Sequence, residues 1–243
     1  MPGMDFDSTA DSVDVGDAPL DDTFVGGGTI MAWVHLDSYG FGTNFGRIMD
    51  KASTTGAALG WALQNDGGTG EVRFEYGWTT TNGNWLTPTA SLALSTDYHI
   101  ALAYDDGATG NNPSIYINGS LQTLTEPSTP AGSAESDAAE TFSIGNIAAT
   151  AYNRGFDGII ADARVYDREL TAVEINNIML QGFPNPDGLV AMWQFTGGAP
   201  GTSPSGGGSV KDIAAGKSDG TPNSTPVYAA TTLITGATRR RAS

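Results

Sequence analysis

The chain has no cysteine, few basic residues and no long apolar run. Without Cys among 243 residues there is no disulfide framework, no thiol nucleophile and no thiolate metal site. The 11 Lys and Arg stand against 27 Asp and Glu, a formal charge of −16. Three of the 11 are the run Arg239, Arg240, Arg241, so the rest of the chain is more acidic still. Such a surface repels phosphate backbones, which argues against nucleic-acid binding. No stretch approaches the roughly 18–20 apolar residues of a membrane helix, so no membrane insertion is expected. The first residues, Met-Pro-Gly-Met-Asp-Phe-Asp, have neither the basic nor the apolar region of a secretory signal. No Gly-x-Ser-x-Gly elbow, Walker loop or His-Glu-x-x-His occurs.

Glycine, by contrast, is about twice its usual frequency, at 33 residues. It separates short alternating runs, the pattern of an all-β chain with many strands. Such runs occupy 29–36, 71–78, 98–104, 114–117, 120–124, 142–144 and 158–166. In 71–78, Val72, Phe74, Tyr76 and Trp78 share one face, and Glu71, Arg73 and Glu75 the other. Asn118-Gly119 joins two runs and predicts a type I′ hairpin, because both central positions need positive φ. The spacing is that of a sandwich or jelly roll. One short helix is expected after Thr171. Thr171 and Glu174 form a capping box, Leu170 and Ile175 a staple, and Ile175, Ile178 and Met179 a buried stripe. Gly182 and the prolines beyond it end the helix. Residues 125–140 read as a polar loop, 197–208 as a flexible Gly/Ser/Pro linker, and 188–195 as a strand. The chain thus divides into a sandwich at 1–182 and a C-terminal extension at 183–243 that carries one strand and the basic tip.

Seven pieces now match a known family in order. They are 6–13, 32–34, 47–51 (Arg-Ile-Met-Asp-Lys), 98–101, 115–119 (Ile-Tyr-Ile-Asn-Gly), 144–146 and 156–171. The chain resembles the laminin-G-like group of the concanavalin A-like lectin/glucanase superfamily over about residues 4–180. The resemblance implies an antiparallel two-sheet jelly roll with six to seven strands per sheet. Family members often begin with Gly-Leu-Val-Ala-x-Trp, which here comes late, at 188–193. Either that strand fills its usual slot in its own sandwich, as a circular permutation would have it, or it fills a neighbouring subunit's edge.

The functional candidates follow. The superfamily includes laminarinase-type glucanases marked by Glu-x-Asp-x-x-Glu, and Glu135, Asp137 and Glu140 have that spacing. They sit in a Ser/Ala/Pro/Gly segment with nothing apolar to raise a pKa, so we read the match as chance and expect no enzyme. His99 and His35 lie in strands and read as structural. A structural Ca²⁺ is the ion the resemblance implies, held by Asp162 with Asp5 or Asp7, or by Asp157. The alternative is a solvated acidic face, since seven Asp crowd the first 22 positions. Trp85, beside the polar run 79–84, is the candidate sugar platform with Asn82 and Asn84, and core burial is its alternative. The late segment 220–228 (Gly-Thr-Pro-Asn-Ser-Thr-Pro-Val-Tyr) resembles virion proteins of tailed phages. The expected function is therefore a non-catalytic structural or adhesion protein on a virion, a capsid decoration or fibre component, with glycan binding as a further property. Its partners would be capsid proteins, a host-surface glycan and copies of itself in a homo-oligomer, with Arg239, Arg240 and Arg241 docking on an acidic neighbour. A cellular lectin and a glycoside hydrolase are the alternatives.

Overall fold

The computed structural model describes residues 1–15, 20–41, 45–55, 57, 59–148, 154–182, 185–214 and 218–230. Sixteen strands and one helix appear among them. The strands are β1 (Met4–Phe6), β2 (Ser12–Val15), β3 (Gly28–Leu36), β4 (Arg47–Ala52), β5 (Gly60–Asp66), β6 (Glu71–Tyr76), β7 (Gly83–Leu86) and β8 (Asp97–Tyr104). Then come β9 (Ser114–Ile117), β10 (Ser120–Leu121), β11 (Thr125–Ser128), β12 (Phe142–Ile144) and β13 (Gly158–Tyr166). Helix α1 (Ala172–Gln181) precedes β14 (Leu189–Trp193), β15 (Gly220–Asn223) and β16 (Val227–Tyr228).

They form two eight-stranded antiparallel sheets, larger than the six to seven strands expected. The first runs β10-β9-β8-β3-β13-β1-β16, with β14 beside β1 along the same edge of β13. The second runs β11-β7-β6-β5-β4-β12-β2-β15. Alternation puts one face of each sheet inward. Ile30, Ala32 and Val34 of β3 thus meet Leu63 of β5, Phe74 of β6 and Ile144 of β12 in one shared core. Phe24 sits among Trp61, Phe74, Tyr76 and Tyr104 in edge-on contacts of 5.4–5.9 Å.

Local signals were accurate where the interaction is local. Asn118 and Gly119 take φ of 50° and 76°, as the hairpin needs. Thr171 and Glu174 make both capping-box bonds, and Gly182 ends α1 at φ 66°. The buried stripe Ile175, Ile178 and Met179 lays α1 on the outer face of the first sheet, over Met31, Tyr116, Tyr166 and Trp33.

The C-terminal extension differs from expectation. It adds three strands, not one, and they enter both sheets. Strand β14 pairs with β13 of its own chain. The run 197–208 forms turns but is not a free linker. Gly201 donates to Tyr228 O, and Tyr228 donates to Thr202 O. The run 125–140 is likewise more ordered than a polar loop: β11 pairs with β7, and Asp137 is fully buried.

Candidate functional site

The two outer faces of the sandwich differ. Helix α1 covers the first. The second carries a register row of one residue from each of its eight strands, seven of them polar. Thr221 lies opposite Asp14, Asp14 opposite Ser143, Ser143 opposite Asp50 and Asp50 opposite Ala62. Ala62 lies opposite Glu75, Glu75 opposite Asn84 and Asn84 opposite Ser128. Every member but Ala62 is polar. Gln64, between Arg47 and Arg73, starts a second row.

Arg47 organises this face. Its guanidinium is fully buried. Nη2 donates to Thr55 O at 2.7 Å, Nε lies 3.2 Å from Asp50 Oδ2, and Nη1 lies 3.8 Å from Glu75 Oε2. Thr55 belongs to the β4–β5 connection, which therefore leans back over the face. Asp50 and Ser143 belong to this row and are nevertheless fully buried. Burial pushes the Asp50 carboxyl up to about 7, against the pull of Arg47 and the Ala52 N–H. Repulsion from Glu75 and Glu140 adds to the rise. Arg73 pairs with Asp66 at 2.7 Å and Glu75 at 3.2 Å.

Several buried atoms on this face make no hydrogen bond: the oxygens Gln64 Oε1, Asn84 Oδ1, Ser143 Oγ, Asp50 Oδ2 and Glu75 Oε2, and the nitrogens Arg47 Nε, Arg47 Nη1 and Arg73 Nε. The two carboxylate oxygens have ion contacts only. Leaving such a group unmatched costs about 1–3 kcal/mol. Above these sealed atoms, the half-buried Asp14, Glu75, Asn84 and Ser128 present polar groups that suit a partner rich in hydroxyls.

The predicted site residues separate. Trp85 is in the core, 1% exposed, stacked on Phe74 at 5.9 Å with Nε1 donating to Asn112 Oδ1 at 2.8 Å. It is no sugar platform, because its place opposite Phe74 points it inward. Asn82 braces its loop, accepting from Trp78 N and donating to Ala57 O. Asn84, two residues on, does face the polar surface. Asp162 fits no calcium site. Both its oxygens are taken by Arg164, at 2.8 and 2.6 Å. Asp5, Asp7 and Asp157 do share an acidic corner, where Asp157 accepts from Ser38 Oγ and Asp7 N donates to Asp11. Among the described residues, however, no group of three or more Asp, Glu or His converges as a metal site would. Arg239, Arg240 and Arg241 lie outside the described residues.

The Glu-x-Asp-x-x-Glu residues have other work. Asp137, expected in a setting that could not shift its pKa, is buried and its carboxyl is pushed up by desolvation. It accepts from Trp61 Nε1 at 3.0 Å and Asp22 N at 2.7 Å. His99 is structural as expected. It sits edge-on to Trp33, held down to about 3 by burial and by Arg164.

The acidic corner makes one pH prediction. Burial, then repulsion from Asp7, Asp37, Asp157 and Asp11, raises Asp5 to about 6. A raised carboxyl binds its proton more tightly folded than unfolded, so stability is lost as pH climbs from the unfolded value through about 6. Asp5→Asn is expected to melt higher than the wild type at about pH 8, with the advantage fading near about pH 4. Thermal melts across that range check it.

A two-sheet jelly roll with one face under a helix and the other presenting polar side chains is a lectin-like domain. The chain belongs to the concanavalin A-like lectin/glucanases superfamily through its Laminin_G_3 family, matched over residues 7–176. Among curated proteins none matches the chain in sequence. Solved structures share its fold. A Bacteroides ovatus protein thought to bind carbohydrate is 22% identical, with a TM-score of 0.65 over 96% of this chain and 61% of its own. The present chain therefore spans about three fifths of that protein. The CBM40 of the Ruminococcus gnavus IT-sialidase, bound to α2,3 sialyllactose, is 15% identical, with a TM-score of 0.54 over 73% of this chain and 95% of its own. At these identities the likeness is one of fold.

Proposed function

We propose that the chain is a non-catalytic carbohydrate-binding module whose ligand lies on the polar outer face of the second sheet. The observation that carries this reading is the in-register polar row, whose members Thr221, Asp14, Glu75, Asn84 and Ser128 are half-buried and reach the surface. The carbohydrate-binding neighbours in fold support it. The face carries Asp14, Asp50 and Glu75, while its Arg47 is buried against Thr55 O and Asp50 and its Arg73 pairs with Asp66 and Glu75. A neutral glycan therefore suits it better than a sialylated one. Catalysis is disfavoured because Asp50 is fully buried and Asp137 is engaged with Trp61 and Asp22. The setting proposed is a virus particle, which rests on the resemblance of 220–228 to virion proteins, with copies meeting through an acidic body and a basic tip.

A glycan array holding neutral oligosaccharides and sialyllactose, followed by titration calorimetry, tests the module. Neutral glycans are expected to bind. Asn84→Ala and Asp14→Ala should each weaken binding about five- to tenfold, one hydrogen bond's worth, with unchanged melting. Unaltered affinity in both variants, or release of reducing sugar from the bound glycan, would overturn the reading. Failure to co-purify with particles would remove the virion setting and leave the module.

A further inference from the structure

We infer that Lys51 and Asp137 become joined by an isopeptide bond, formed by the folded chain itself, between Lys51 Nζ and the side-chain carboxyl carbon of Asp137. Both side chains are fully buried, and Nζ lies 3.4 Å from Asp137 Oδ1. Two further hydrogen bonds, to Asp137 O at 2.6 Å and Glu140 O at 2.7 Å, hold the nitrogen against that residue. A third group completes the arrangement: Asp21 Oδ1 is 3.1 Å from Nζ, on a side chain 33% exposed. Aromatic walls keep the site dry, with Trp61 edge-on to Phe142 at 5.4 Å. The backbone is close as well. A Cβ at Gly60 would lie 1.9 Å from Lys51 O and 3.1 Å from Asp137 Cβ.

An ion pair alone is a weak reason for this construction, since desolvation of two buried charges offsets most of their attraction. Condensation removes both charges. The carboxylate of Asp21 takes one proton from the ammonium and hands it to the Asp137 carboxylate. Burial favours that carboxyl's protonated form. Nζ gives up one carbonyl hydrogen bond and its lone pair attacks Cγ. The Trp61 Nε1–H and Asp22 N–H, already on Oδ2 and Oδ1, stabilise the charge that develops on oxygen. A second proton from nitrogen passes through Asp21 to one oxygen, the C–O bond breaks, and water leaves. Ammonium plus carboxylate thus gives amide plus water, with no oxidant and no cofactor. The fixed approach supplies the effective concentration that free amine and acid lack. The link would tie β4 to the segment carrying Asp137, in a chain that has no cysteine for a disulfide.

Mass spectrometry of the full chain tests this. The purified folded protein is expected to be lighter than its sequence by one water. Its tryptic digest should give a branched peptide joining Lys51 to Asp137, with no cleavage after Lys51. Lys51→Arg should have its full sequence mass, and Asp21→Asn should show a slowly decreasing unlinked fraction. A cooperatively melting wild type at full sequence mass would overturn the inference. So would a water loss with Lys51 still open to trypsin, the mark of a succinimide at Asp137.

Discussion

Arg164→Met is expected to destabilise the fold by about 3–5 kcal/mol, because it leaves a buried carboxylate without its counter-ion. In the wild type Arg164 is fully buried and grips both oxygens of Asp162, itself 4% exposed. The strand demands this geometry. A bulge sets Asp162 at φ 48° between the pairs Ala161–Trp33 and Arg164–Met31, and so shifts the alternation. Ala163 and Val165 then face the core, and Arg164 points out beneath α1. There its Nη2 also donates to Gly182 O at 3.0 Å, a cation at the C-terminus of a helix whose own last turn has none. Burial already pushes the Asp162 carboxyl up, and Arg164 pulls it back. Without the arginine the folded-state pKa rises further above the unfolded one, so the deficit should grow as pH rises. The check is the denaturant midpoint at unchanged m. Adding Asp162→Asn to Arg164→Met should recover part of the loss. A deficit that does not change with pH would mean the carboxylate is not its source.

What could be read in the sequence depended on how far apart the interacting residues lie. The capping box and the Asn118-Gly119 turn are decided within four residues. The alternation of β6 separated its core side from Arg73 and Glu75 correctly. Strand β4 defeats such reading. Arg47 and Asp50 pair within the strand, while Glu75, Asp21 and Asp137 bring further counter-charges and Thr55 O a hydrogen bond from elsewhere in the chain. Trp85 was misleading because β7 has four residues, too few to show which way its indole points. The polar row takes one residue from each of eight strands, so no window of sequence contains it. The signal that could have found it was the outward set of β6, extended strand by strand once pairing was known. Asp162 looked like a ligand by its place in the motif, yet Arg164 two residues on was its partner.

The largest effect is expected from removing the C-terminal extension. A chain ending at Gly182 loses β14, β15 and β16, and with them Ala191, Trp193, Phe195, Val210 and Tyr228 from the main core. Trp193 alone is fully buried, stacked on Phe142 at 5.7 Å, with Nε1 donating to Ser218 O at 2.8 Å. Losing one such side chain costs about 3–5 kcal/mol. Five core residues together exceed the roughly 5–15 kcal/mol that a domain has in total. The edges of β13 and β2 would also be stripped of partners, leaving open strands that pair with other chains. The truncated chain is therefore expected to show no cooperative melt and to aggregate. Loss of fold alone does not prove that the segment belongs to the sandwich it leaves, so order in the chain must be separated from place in the sheet. Ala229 N donates to Gly3 O at 2.9 Å, and Tyr228 lies opposite Met4, so the end of the extension sits beside the start of β1. A permutant that begins at Asn185, runs to Ala230, continues through a short Gly/Ser joint into Met1 and ends at Gly182 keeps every strand in its slot. It should melt cooperatively and as a monomer-for-monomer equivalent of the full chain, with stability changed only by the loop closures, about 1 kcal/mol. A folded truncation, or a permutant that fails while the parent folds, would show that sheet position is not what the extension supplies.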